Sequence, residues 1–194
     1  MRIVLDAGHG GGKGQGDPGA VDPVQPAEGD MLYTEEDDLA FDIARRAQEA
    51  LMLSGHTAHL TRRPNQFISL QGRCDLANRL GADVFVSIHL NAGPPTARGF
   101  EVFSYPGSCP GAQLRDAILG AIAKAFPDWV NRGAKEANYA VLRGTKMPAA
   151  LVECGFVTNT EEERKLHDPA VRQRMAEAIA AGVIKYGREK HGRV

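Results

Sequence analysis

His9 closes the opening run I-V-L-D-A-G-H-G-G, and His89 closes D-V-F-V-S-I-H-L; both follow apolar stretches that read as buried strands. In open α/β sheets ligands gather beyond the carboxyl ends of the strands, so both imidazoles are expected at one edge. Two imidazoles there suggest a metal. Zinc sites that hydrolyse amides take three protein ligands of the His and Glu type and leave one position open. The third ligand is expected where a helix starts back from the same edge, which points to Glu35 or Glu36. With roughly 100° per residue, the apolar face made by Leu39, Ala40, Ile43, Ala44, Ala47 and Leu51 centres near Glu36. Glu35 falls about a quarter-turn or more toward solvent on the same count. A Thr34 N-cap followed by first-turn acids would serve the helix dipole, which accounts for Glu35 and Asp37 but leaves an inward Glu36 unexplained. Glu36 is the preferred ligand, with Glu35 as the alternative. A fourth group comes from P-A-A-L-V-E-C-G-F, a buried run that ends in Glu153. Beside a metal-activated water it would act first as general base and then as general acid. Its structural alternative is a salt bridge to an arginine, and Cys154 beside it reads as packing.

The glycines around His9 also fit a phosphate loop, and that reading fails. Lys13 is followed by Gly14, so the Walker pattern G-x-x-x-x-G-K-[ST] is absent. The one G-x-G-x-x-G, at Gly14, Gly16 and Gly19, leads into Pro23 and Pro26 where a dinucleotide site needs a helix. Glycine instead gives the backbone room to turn at the strand end and leaves the open face of a metal uncrowded. Asp6 has two readings, as an acceptor that orients His9 or as a simple strand-end residue.

The elements that must position these groups alternate. Strands are predicted at Ile3–Leu5, Thr57–Thr61, Asp83–Leu90, Phe100–Tyr105, Tyr139–Leu142 and Ala149–Val152. Helices are predicted at Glu35–Leu53, Ser69–Leu80, Gly111–Phe126 and Pro169–Tyr186, and residues 10–34 read as a long loop. Such alternation predicts a single α/β domain with a mostly parallel sheet flanked by helices, and the short link from Leu90 to Phe100 admits an antiparallel strand. With 194 residues, 43% hydrophobic and 24% charged, one well-buried core is expected. A formal net charge of −1 gives no basic excess for nucleic acid. Cys74, Cys109 and Cys154 are too scattered for a disulfide framework or zinc knuckle and are read as free thiols. Only three apolar residues follow Arg2, too few for a secretory signal, and no run approaches a membrane span. Synthesis in the cytoplasm without a signal peptide is the expectation.

In chain order, D-A-G-H-G-G, E-x-x-L-x-x-x-I-A, S-I-H-L-N-A, N-R-G-A-K and P-A-A-L-V-E-C-G-F closely resemble the zinc-dependent N-acetylmuramoyl-L-alanine amidases of bacterial autolysins and phage endolysins. The resemblance covers Ile3 to about Tyr186 and implies cleavage of the amide between N-acetylmuramic acid and the first L-alanine of the peptidoglycan stem peptide. It implies His9, Glu36 and His89 as zinc ligands, Glu153 as the catalytic glutamate, and a central sheet of about six strands. Ala7 stands where the family has proline, and Ala40 where it has asparagine, so Glu35 stays open as a ligand. Asn91 and Arg132 are candidate substrate contacts, or else turn and hydrogen-bonding residues. A related carboxypeptidase-like zinc hydrolase, a non-catalytic wall binder and a cysteine hydrolase are the rivals. The expected layout is a catalytic domain over residues 1–186 and a basic, flexible tail over 187–194 that offers weak contact to an anionic envelope. With no export signal and no wall-binding repeats, a phage endolysin acting on the wall after release fits better than a host autolysin.

Overall fold

The computed structural model describes residues 1–11, 16–21 and 34–191. Its strands are β1 (Arg2–Ala7), β2 (Thr57–Leu60), β3 (Val84–Asn91), β4 (Phe100–Ser104), β5 (Asn131–Glu136) and β6 (Ala149–Phe156). Its helices are α1 (Glu36–Leu53), α2 (Leu70–Leu80), α3 (Cys109–Ala125), α4 (Ala140–Gly144), α5 (Thr160–His167) and α6 (Pro169–His191). The strands form one sheet in the order β2-β1-β3-β6-β4-β5. β1 is parallel to β2 and β3, and β3 is parallel to β6, whereas β4 runs antiparallel to β6. The eight-residue connection between Asn91 and Phe100 thus reverses the chain, as a connection too short for a helical crossover must.

Side chains alternate across the sheet, and both faces are covered. Ile3, Leu5, Val86, Ile88, Val102 and Val152 turn to a large core shared with α1, α3 and α6. Val4, Phe85, Phe103 and Leu151 turn the other way, onto a smaller cluster with Cys74 and Ala77 of α2 and Val141 and Leu142 of α4. Full burial of side chains such as Ile43 or Leu114 contributes about 1.5–3 kcal/mol each.

Local chemistry sets the ends of these elements. Ser69 and Ser108 cap α2 and α3 by accepting from the amides of Gly72 and Gly111. Glu35, not Thr34, occupies the N-cap position of α1, and it makes no side-chain cap bond. The Thr34 hydroxyl is engaged elsewhere, donating to Glu163 and lying 2.6 Å from His167 Nε2. Residues Tyr139–Leu142, expected as a strand, belong to the short helix α4, because four apolar positions do not distinguish the two states. β5 and α5 were not expected from the sequence. α6 continues past Tyr186 to His191, so residues 187–191 are helical and not a loose tail. Tyr186 is buried there, and Lys185 pairs with Glu189 at 3.8 Å one turn on. Residues 192–194, and most of the expected 10–34 loop, lie outside the described residues.

Candidate active site

The smaller face of the sheet turns polar toward its carboxyl edge. Asp6 lies on the face of Val4, Ser87 and His89 on that of Phe85, Glu153 on that of Leu151, and Glu101 on that of Phe103. Cross-strand register places Asp6 beside Ser87, His89 beside Glu153, and Glu153 beside Glu101. His89, Glu153 and Glu101 therefore form one lateral row over three strands.

His9 lies just beyond β1 with φ 54°, an unfavourable conformation for a residue with a Cβ. Two buried arginines hold that backbone in place. Arg73 donates to the carbonyls of Ala7 at 2.6 Å and His9 at 2.5 Å, and Arg62 to those of Ala7 at 3.0 Å and Gly8 at 2.9 Å. Glu36 opens α1 and turns inward. Its Oε1 lies 2.7 Å from His89 Nδ1 and accepts from the Leu90 amide at 3.0 Å. Its Oε2 accepts from the Ala20 amide at 2.7 Å and lies 3.3 Å from His9 Nε2. One donor atom from each of His9, Glu36 and His89 falls within 4.8 Å of the others. Glu35 stands outside this trio.

Bare backbone makes the approach feasible. A Cβ at Gly8 would lie 2.5 Å from the His89 ring, and one at Gly19, where φ is +73°, would run into Glu36 Oε2 and the His9 ring. Any side chain at either position would displace a donor.

Charge is arranged to suit a cation. Burial by itself would raise Glu36, but hydrogen bonds from His89 and then His9 hold its carboxyl far below the usual range. Burial opposes protonation of His9, yet its pairing with Glu36 and then Asp17 raises it to about 9. His89 is likewise raised, burial being outweighed by Glu36. Asp17 Oδ2 lies 2.8 Å from His9 Nδ1 but off the ring N–H axis, so this buried nitrogen has no hydrogen-bond partner among the described residues. Glu153 Oε2 is orphaned in the same sense, and loss of hydration pushes that carboxyl up to about 7. A buried carboxylate held ionised between two imidazoles is a donor set that fits a divalent cation, whose place the imidazolium protons otherwise fill. A cavity of about 520 Å³ opens over the trio, lined by His9, His89, Glu153, Phe67, Leu70 and Tyr139 among others.

Other expected residues are placed differently. Asp6 does not touch His9; it accepts from Thr61 Oγ1 at 2.6 Å, Arg73 Nη1 at 2.7 Å and Ser87 Oγ at 2.7 Å. The acid beside His9 is Asp17. Asn91 and Arg132 both meet Glu101, Asn91 Nδ2 at 2.7 Å and Arg132 Nε at 3.0 Å, and Lys135 shares the second carboxylate oxygen. Glu101 is buried and central to this cluster, and the sequence reading missed it. An acid just inside the start of an alternating strand, two residues before Phe103 on the same face, was the available signal. Cys154 points into the large core, where burial pushes its thiol well above the ordinary value, so it is no nucleophile.

The chain matches the N-acetylmuramoyl-L-alanine amidase family over residues 3–185. It belongs to that family. The amidase is 38% identical to N-acetylmuramoyl-L-alanine amidase CwlM of Bacillus licheniformis over 188 residues, covering 95% of this chain and 68% of that one. It is 35% identical to the sporulation-specific N-acetylmuramoyl-L-alanine amidase of Bacillus subtilis, covering 94% of this chain and 67% of the relative. Among solved structures, the amidase is similar to AmiC2 of Nostoc punctiforme, with a TM-score of 0.84, 36% identity and 97% of both chains covered. It is equally similar to the amidase from Clostridium difficile 630, with a TM-score of 0.85, 34% identity and 97% of both chains covered. The mostly parallel six-stranded sheet of the amidase is thus the fold of that family's catalytic domains. No described helix is long and apolar enough to cross a membrane.

Proposed function

We propose that the amidase holds Zn²⁺ on His9, Glu36 and His89 and hydrolyses the amide joining N-acetylmuramic acid to the first L-alanine of the peptidoglycan stem peptide. One observation carries this reading: donor atoms from residues 9, 36 and 89 meet within 4.8 Å under a cavity that Glu153 also lines. Zinc supplies Lewis acidity, polarising the scissile carbonyl and making water a better nucleophile near neutral pH. Glu36, held as a carboxylate, brings negative charge to the ion, and the imidazoles bring neutral nitrogen donors. Glu153, raised to about 7, is matched to moving a proton near neutrality. It takes a proton from the attacking water as the new C–O bond forms. It then returns a proton to the alanine nitrogen as the C–N bond breaks, leaving a lactyl carboxylate and a free amino terminus. Phe67, Ile68, Leu70 and Val141 give the cavity apolar walls that limit stray water. Asn91 and Arg132, ordered by Glu101, remain substrate contacts in this scheme, and the Arg132 side chain is 34% exposed for that task.

Zinc content of the purified protein, measured with mass spectrometry of products from purified walls, tests the reading. Peptides with a new amino-terminal alanine and peptide-free glycan are expected. Loss of a terminal residue from the stem peptide would instead mark a carboxypeptidase, and zinc-free active protein would remove the metal from the scheme. The basic end of α6, with Lys185, Arg188 and Lys190, is proposed as a weak contact for the anionic envelope. Changing these three to glutamine should slow lysis of whole cells but not of purified walls, a cleaner test than truncation, which would delete buried Tyr186.

A further inference from the structure

We infer that Ser87, backed by Asp6, fixes the tautomer of His89 and so presents Nδ1 to the metal. The inference rests on the zinc site proposed above. Ser87 and His89 share one face of β3, and the register sets Asp6 beside Ser87. Asp6 is 1% exposed, and its carboxylate accepts from Thr61, Arg73 and Ser87 at 2.6–2.7 Å. A carboxylate paired with a guanidinium only accepts, so the Ser87 hydroxyl proton is committed to Asp6. Toward His89 Nε2, 3.1 Å away, the Ser87 oxygen then has lone pairs alone to offer. Nε2 must carry a proton. In the neutral ring the free lone pair is then on Nδ1, the nitrogen that faces Glu36 Oε1 at 2.7 Å.

The reverse polarity, with Ser87 donating to Nε2, would require a proton on Asp6. Arg73 and Thr61, both directed at Asp6 Oδ1, oppose that. The Arg73 guanidinium also bonds the His9 carbonyl, so one buried group steadies the backbone of one imidazole and the tautomer of the other. Ser87 touches neither the metal nor the cavity; it is a positioning residue.

Nitrogen NMR of the zinc-loaded protein carrying labelled histidine decides the matter on the unaltered chain. The expected spectrum shows His89 with a metal-shifted Nδ1 and a protonated Nε2. Zinc on Nε2, with the proton on Nδ1, would overturn the inference, whereas failure of the chain to retain zinc would overturn the metal site itself. Ser87→Ala should weaken zinc by roughly tenfold to a hundredfold in a competition titration. Ser87→Thr, which keeps the hydroxyl, should bring zinc affinity back toward the parent's. A folded Ser87→Ala protein that binds zinc within about twofold of the parent would also count against the relay. If that variant fails to fold, the parent spectrum stands as the test.

Discussion

Ile88 and His89 are consecutive on β3, yet they belong to two different materials. Ile88 enters the large core under α1, α3 and α6 and joins its cluster of buried apolar side chains. His89 turns to the other face, which α2 and α4 cover only in part and which ends in Asp6, Ser87, Glu153 and Glu101. The first face holds the sheet together through many interchangeable contacts. The second holds few groups, each with an assigned partner or a conspicuous lack of one. The two-residue period of a strand is enough to keep these jobs apart, and a one-residue slip would exchange them.

The sharpest way to test this division is to change one face and read both properties. Glu153→Gln is expected to cut the rate of wall hydrolysis by roughly a hundredfold to ten-thousandfold. Zinc stoichiometry should match the parent's and melting temperature should not fall, because a desolvated ionisable carboxyl becomes a neutral amide. Activity within tenfold of the parent would remove Glu153 from the chemistry. Ile88→Ala should do the reverse, costing about 2–5 kcal/mol in denaturant unfolding while the folded fraction binds zinc normally. A variant of normal stability that lost zinc would show that the two faces are not separable.

Solution pH probes the polar face alone. Glu153, desolvated, stands at about 7 against an ordinary 4.5, and His9, opposed by burial but outweighed by Glu36, at about 9 against 6.5. Both folded values are raised, so each group lends stability at low pH that is lost as pH climbs through its window. Chelated protein should therefore melt progressively lower from about pH 5 to pH 9. Zinc should stabilise more strongly over the same range, because His9 must give up its proton to bind. A gap between loaded and chelated melting curves that narrows with rising pH would contradict the assignment. Last and smallest, Lys165→Ala breaks an exposed, solvent-screened pair with Glu161 and should leave both melting temperature and activity unchanged within measurement error.

The convergence of the candidate site residues was more legible in the sequence than parts of the fold. His9, His89 and Glu153 announced themselves because each ends an apolar run, and a polar residue there has few apolar reasons to exist. Helical phase favoured Glu36 over Glu35 while leaving Glu35 open, and the structure turns Glu36 to the two histidines. β5, N-R-G-A-K-E, was invisible because it is a polar edge strand with no buried residue to set a period. α5, T-E-E-E-R-K-L-H, is mostly charged, although Asn159 at its start was a readable cap. The partner of Asp6 could not be foreseen, since Thr61, Arg73 and Ser87 reach it from three separate elements and only the folded register brings them together.

The row from His89 through Glu153 to Glu101 behaves as a ruler graduated by the peptide backbone. Hydrogen-bonded strands keep about 4.8 Å between axes whatever their side chains are, so the reach from the proposed ligand to the proposed proton carrier is a lattice constant of the sheet. Loops above the edge set what enters; they have no purchase on that interval. Redesigning the rim for another cell wall therefore begins with the working distance already in place.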